Sequence, residues 1–401
     1  MGLKDQLAQA KASVKSAFSS KDKNGSAAPK PIATGSGSST PKARGGIDTS
    51  KIEKKGKEAA VDYDSVKTPK TPKRQAYNRD GYLLVITDCC PENMAGAQGW
   101  RKEDFEFKKA IGSGCKSTVY HVVCKHTKTD AALKVYPKAV MSDINKQQVM
   151  REVSIHSTIR HKYIIGLYAS WEDDRAFYMV QEYAHRGDLF GELYKMGGKM
   201  SERKAVELVM GPYLDTLNYI HAKGIIHRDI KPENTLFSKE LILKVTDFGL
   251  SIDTRLEQPV TRLGTLDYMA PEVLVCPDKN NAKQVAAAGR YDFAVDAWAM
   301  GVLAFEVVVG RAPFEGETKD KTCSKIMRED TKFPSYLSAK LQDFISKSLN
   351  KHATKRMGIP EMMEHPWITE YYKCEPVTVA RTPHTGEKMT DKKEPLGTLA
   401  E

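Results

Sequence analysis

The sequence predicts an α+β fold in two lobes, a β-rich one followed by a larger helical one. Three observations carry this. Residues 105–183 run as short β-branched and aromatic stretches split by turn-like clusters, with one helical pattern among them. Residues 188–368 are dominated by helical spacing. Polar sequence bounds both stretches, rich in Lys, Ser, Gly, Pro and Thr over 19–75 and again polar over 369–401. The expected organisation is a basic, largely disordered extension over 1–98, a two-lobed unit over 99–368 whose lobes meet near 183/184, and a loose tail over 369–401.

The bulk numbers agree with a globular unit carrying a charged appendage. With 401 residues, 40% hydrophobic and 28% charged, the chain can bury a substantial core. Its net charge of +11 is uneven: residues 1–75 hold 16 Lys and Arg against seven Asp and Glu. That segment is therefore +9, and the rest is near neutral. Seven cysteines without a C-x-x-C pair read as reduced thiols. No apolar run reaches membrane-spanning length, and the lysine-rich start lacks the apolar stretch of a secretory signal. Met1-Gly2 suggests myristoylation, but Gln6 stands where Ser or Thr is needed.

Within the extension, Leu3, Leu7, Ala10, Val14 and Phe18 follow helical spacing among Lys4, Lys11 and Lys15. Such a helix would dock on a partner or an anionic surface, or form only transiently. Thr40-Pro41, Thr68-Pro69 and Thr71-Pro72, each followed by Lys, read as proline-directed phosphorylation sites. A basic tail of this kind suits an acidic polymer such as a microtubule surface. Without interleaved aromatics it gives no support for specific nucleic-acid binding. Residues 82–87 (YLLVIT) form a strand-like island expected to pack on the main domain.

The first lobe opens on I-G-S-G-C-K-S-T-V-Y, residues 111–120, which admits two readings. A Walker A loop needs Gly immediately before the lysine and a helix after it. Here Cys115 precedes Lys116, and a β-branched run over 117–124 follows, then Lys128-Thr129-Asp130 and the returning strand Ala131–Val135. That is a hairpin, so the Walker reading fails. A glycine lid over a nucleotide instead requires a lysine on the next strand, and Lys134 is there.

The second lobe decides the matter. His227-Arg228-Asp229-Ile230-Lys231-Pro232-Glu233-Asn234, then Asp247-Phe248-Gly249, then Ala270-Pro271-Glu272 occur in the order and spacing of protein kinase signatures. Residues 105–368 resemble the eukaryotic protein kinases, which implies the bilobal kinase fold and ATP with Mg²⁺ as cofactors. The resemblance implies the following roles. Ile111, Gly112, Ser113, Gly114, Cys115, Lys116, Ser117 and Val119 would form the lid over ATP. Lys134 would hold phosphates with Glu152 as its partner, although a solvated helix glutamate is the plainer alternative for Glu152. Asp229 would take the substrate hydroxyl proton, Lys231 would neutralise the phosphoryl charge, and Asn234 and Asp247 would offer oxygens to the metal. Gln181 is the gatekeeper position, and Glu182-Tyr183-Ala184 is the hinge to adenine. Lys231 and Thr265 follow the serine/threonine pattern. Asp296 would brace the catalytic loop, and Glu272 with Arg356 would form an internal ion pair.

Several segments are similar to the Aurora group in particular. They are Trp100-x-x-x-Asp104-Phe105-Glu106, R-E-V-S-I-H-S-T-I-R-H, T-x-L-G-T-L-D-Y-M-A-P-E and E-H-P-W-I over 364–368. The likeness implies substrates with Ser or Thr near arginines, and Asp188 and Glu233 match positions that bind substrate arginine. Ribose contact is the alternative for Asp188. An activating partner on the first lobe, a monomeric state and a place at centrosome, spindle or cilium within cytoplasm or nucleus follow from the same likeness. Thr261 matches the activating threonine, and Arg228 would receive its phosphate.

Four departures stand out. Pro259-Val260 replace two arginines ahead of Thr261, which weakens the case for autophosphorylation there in trans and leaves an upstream kinase as the alternative. Ser117 replaces the third lid glycine, Thr235 replaces an apolar residue, and 275–290 is an insertion. Ser117 and Lys116 motivate a competing reading, a scaffold with a targeting tail. The intact set Lys134, Glu152, Asp229, Asn234 and Asp247 argues for an enzyme.

Overall fold

In the computed structural model, residues 75–77, 83–95, 99–114, 116–277 and 290–375 are described. The helical pattern at 3–18, the Thr-Pro motifs at 40, 68 and 71, Cys115 and residues 278–289 of the insertion lie outside them.

The first lobe is a seven-stranded antiparallel sheet. Its strands are β1 (Gln75–Tyr77), β2 (Leu83–Ile86), β3 (Phe105–Ser113), β4 (Thr118–Cys124), β5 (Asp130–Pro137), β6 (Leu167–Glu172) and β7 (Ala176–Glu182). They lie in the order β1-β2-β6-β7-β5-β4-β3. Period-two alternation sends Val122 and Cys124 inward from β4, onto Trp100, Phe105 and Trp171. Phe105 and Trp171 stack with centroids 6.3 Å apart, and Trp171 and Tyr178 with centroids 5.1 Å apart. Helix α1 (Asp143–His156) crosses between β5 and β6. Ser142 caps it by accepting from the Asn145 amide, and Val149, Glu152, Ile155 and His156 form its buried face.

The strand-like island at 82–87 is β2. Its backbone pairs Leu84 with Trp171 and Ile86 with Ala169, while Met94 is fully buried in the same core. Among the described residues the first-lobe sheet thus includes strands from Gln75 on, ahead of the expected domain start at 99. The physical reason is the open edge of β6, whose backbone groups need partners and find them in β2.

The second lobe packs helices around α6 (Ala294–Val309), preceded by α2 (Leu189–Lys195), α3 (Glu202–Ala205), α4 (Gly211–Ala222) and α5 (Pro271–Leu274). Helix α6 is apolar on nearly every face and accordingly buried. A π-helical turn, Val206–Met210, joins α3 to α4 just ahead of Pro212, which has no N–H to continue a regular ladder. Short strands β8 (Gly187–Asp188), β9 (Ile225–Ile226), β10 (Thr235–Phe237), β11 (Leu243–Val245) and β12 (Ile252–Asp253) lie under the cleft. Thr235 is fully buried and donates to the Lys231 carbonyl at 2.9 Å, which accommodates a hydroxyl at that apolar position.

The expectation of a loose tail from 369 is corrected for its first residues. Tyr372 donates to Asp215 Oδ2 at 2.7 Å, the Glu375 amide donates to Asp215 Oδ1 at 2.9 Å, and Lys162 meets Glu375 at 2.5 Å. Three polar contacts and an aromatic ring against α4 hold a segment whose composition alone reads as coil.

Candidate active site

The lid is the β3–β4 turn. Gly112 lies across from Val119 and Ser113 across from Thr118, and the Gly114 amide donates to the Ser117 carbonyl at 2.8 Å. Ile111 is exposed. Lys116 turns toward α1, where its ammonium donates to Asn145 Oδ1 and, at 3.2 Å, to Gln148 Oε1. The lid tip is therefore tied to the helix that carries Glu152.

Beneath the lid, Lys134 on β5 donates to Glu152 Oε1 at 2.8 Å and to Asp247 Oδ1 at 3.0 Å. Residues from a strand, a helix and a loop thus converge on one buried ammonium. Burial pulls that ammonium down, but Asp247 and Glu152 outweigh it and hold Lys134 well above the ordinary lysine range. Asp247 is pulled down to about 2, chiefly by Lys134, and stays ionised. Burial pushes the Glu152 carboxyl up while Lys134 and the Tyr136 hydroxyl, 2.5 Å from Oε2, oppose it. Asp247 adopts φ 65°, a left-handed conformation that turns its carboxylate back to Lys134 and the Gly249 amide. Phe248 next to it packs between His156, at 4.9 Å, and His227, at 5.2 Å. Burial drops His156 to about 4, so it packs as a neutral ring. The R-E-V-S-I-H-S-T-I-R-H segment contains His156 but gave it no role; with Glu152 it is one of two polar residues on a buried helix face.

The catalytic-loop residues meet below. Lys231 Nζ lies 2.8 Å from Asp229 Oδ2 and 3.1 Å from Thr265 Oγ1, which itself donates to Asp229 Oδ1 at 3.2 Å. Asn234 Nδ2 donates to the Asp229 carbonyl at 2.9 Å and to Asp229 Oδ2 at 2.8 Å, leaving Asn234 Oδ1 as the oxygen suited to a cation. Asp296 accepts from the His227 and Arg228 amides at 2.8 and 2.9 Å and from His221 at 2.8 Å. Although burial pushes its carboxyl up, His221 and these amides bring it below the ordinary aspartate value. Arg356 grips Glu272 with two bonds of 2.6 and 3.0 Å. Among the described residues no cluster of three or more His, Cys, Asp or Glu could hold a metal. Asp247 and Asn234 nonetheless fit Mg²⁺, which takes one or two protein oxygens and fills its octahedron with water and phosphate.

At the hinge, Gln181 is buried and the Glu182 amide donates to the Gly166 carbonyl at 2.8 Å. The Ala184 carbonyl accepts from Gly187, and Asp188 Oδ1 caps α2 through the Gly191 amide at 2.8 Å. Exposed Glu233 belongs to a cluster that the motifs did not reveal. Burial lifts Glu306 to about 7; the Tyr268 hydroxyl donates to it and opposes the rise, while Glu233, Asp267 and Glu315 add to it. The available signal was a second carboxylate, beside Asp296, on the apolar helix α6. Thr261 and Arg228 do not bond directly. The Tyr291 hydroxyl joins them, accepting from Arg228 Nη1 at 2.9 Å and donating to the Thr261 carbonyl at 3.0 Å.

A glycine lid, a lysine–glutamate pair and two metal-suited oxygens facing an Asp-Lys-Thr triangle define a phosphotransfer cleft. A family model described as protein kinase domain matches residues 105–368, and the chain belongs to that family. Its relatives place it among the Aurora-type serine/threonine kinases, which use ATP and Mg²⁺. Aurora kinase C of Mus musculus is 37% identical over 272 residues, covering 67% of this chain and 92% of that protein. The serine/threonine-protein kinase Aurora-2 of Arabidopsis thaliana is 37% identical over 279 residues, or 69% and 94% of the two chains. Aurora kinase B of Xenopus tropicalis is 35% identical over 293 residues, or 72% and 78%.

Proposed function

We propose that this kinase transfers the ATP γ-phosphoryl group to Ser or Thr in arginine- and lysine-bearing segments of proteins, under control of phosphorylation at Thr261. The observation that carries the reading is the convergence of Lys134, Glu152 and Asp247 above Asp229, Lys231 and Asn234 in one cleft. Bound Mg-ATP supplies the phosphoryl group and its leaving nucleotide. Lys134, steadied by Glu152, would hold the phosphates, and Asp247 and Asn234 would hold the cation. Thr265 already places a hydroxyl against Asp229, the arrangement in which that carboxylate accepts the proton of an incoming Ser or Thr. Lys231 neutralises charge on the phosphoryl oxygens.

Support for basic substrates comes from the carboxylates Glu233, Asp267 and Glu315, which lie close enough to Glu306 to raise its affinity for protons. Asp188 is the weaker candidate, because one of its oxygens is used to cap α2. The basic extension supports a cytoskeletal or anionic-surface contact, and the Aurora likeness supports a monomer working in the cell cycle, at centrosome, spindle or cilium. The test is Mg-ATP-dependent phosphorylation of an arginine-containing Ser peptide by the purified chain. Lys134→Met and Asp229→Asn should each cost a factor of about 10² or more. Equal transfer by these variants and the parent would overturn the reading.

A further inference from the structure

The activation segment after Asp247 is tied to α1 by an ion pair between Glu257 and Arg151, the first residue of the R-E-V-S-I-H-S-T-I-R-H segment. Arg151, the residue just before Glu152, donates through Nε to Glu257 Oε1 at 2.6 Å and through Nη2 to Oε2. This is a two-bond fork between residues 106 positions apart. Glu257 is itself held in place. Its amide donates to the Asp253 carbonyl at 3.0 Å, and the Asp253 carboxylate is gripped by Arg255 at 2.8 and 2.6 Å. Asp253 lies on β12, which pairs with Ile225–Ile226 directly ahead of His227-Arg228-Asp229. A short path of covalent and hydrogen-bonded links therefore runs from the catalytic loop through Glu257 to the helix that presents Glu152 to Lys134.

We propose that Glu257 is a positioning residue for phosphoryl transfer. Its carboxylate clamps Arg151, keeps Glu152 on Lys134, and does so whether or not Thr261 is phosphorylated. Phosphorylation then adds to an arrangement already in place, in keeping with Pro259-Val260 where arginines would otherwise gather the phosphate. The proposal rests on Lys134 and Glu152 being the phosphate-holding pair. The bland alternative is a partly exposed ion pair of small structural value.

The experiment uses the full chain, dephosphorylated at Thr261 as verified by mass spectrometry, with Mg-ATP, a basic Ser peptide and Lys134→Met as blank. Glu257→Ala and Arg151→Ala should each lower kcat roughly fivefold, the scale of one exposed ion pair. The peptide KM should stay the same, and the double variant should be no worse than either single one. Glu257→Asp should recover part of the loss, and the reciprocal exchange Arg151→Glu with Glu257→Arg should recover most of it. A full kcat in Glu257→Ala, losses that multiply in the double variant, or an exchange no better than the single variants would overturn the proposal while leaving the kinase reading intact. A wild type no more active than Lys134→Met would instead overturn the kinase reading and the proposal with it.

Discussion

Glu306 is the carboxyl whose charge turns over near neutrality, because burial and the neighbouring Glu233, Asp267 and Glu315 lift it to about 7. Below that value it is mostly protonated; above it the cluster gains a negative charge. If arginine-bearing segments are the substrates, as proposed, such a peptide would favour the ionised form, so its KM should fall as pH rises through about 7, while a peptide without arginine should change little. Glu306→Gln should raise the KM for the arginine peptide about tenfold at the upper pH and flatten the dependence. Identical pH profiles for the two peptides would count against this role. Ser117 is a second single-residue case. It closes the lid turn through its carbonyl to Gly114, and the hydroxymethyl group stiffens a position where glycine would be freer. Ser117→Gly should raise the KM for ATP two- to fivefold, roughly the entropy difference between the two residues. An unchanged KM would remove the idea.

At the scale of elements, α1 and α4 show how packing reuses ordinary sequence. Helix α1 is met by the lid through Lys116, by β5 through Lys134 and by the activation segment through Glu257, so its position integrates three parts of the cleft. Helix α4 opens on Gly211, where an added Cβ would sit 2.3 Å from the Tyr372 ring. The tail segment docks only because that side chain is missing. Gly211→Ala should therefore displace residues 372–375 and cost about 1–3 kcal/mol, an overpacking penalty. Thermal unfolding and limited proteolysis of the C-terminal segment would measure both effects, and wild-type resistance in both would rule the docking out as a source of stability.

Over the whole molecule, charge is divided between a near-neutral enzyme and a basic extension. Among the described residues, β1 and β2 join the first-lobe sheet from Gln75 on. Deleting residues 1–74 should leave the kcat and KM of peptide phosphorylation within about twofold while changing the protein's localisation in cells. Loss of activity in solution would mean instead that the extension activates the kinase in cis. Deletion through residue 95 is a different matter, because it exposes the β6 edge and removes buried Met94.

The residues of the cleft were legible in the sequence where chemistry demands a side-chain type at a set spacing: Lys134, Asp229, Lys231, Asn234 and Asp247. Periodicity likewise gave the two-lobed α+β plan and the island at 82–87, since alternation and helical spacing are local properties. Local signals could not reveal which distant groups would share one environment. The Glu306 cluster, the His156–Phe248–His227 packing, the Arg151–Glu257 fork and the seat of Tyr372 each join residues far apart in the chain, and a carboxylate or a ring looks the same in sequence whatever it will face. The sequence by itself thus determined the reaction class and the residues equipped for it. Only the tertiary structure decided how those residues are held, because burial and pairwise electrostatics depend on neighbours that the fold alone brings together.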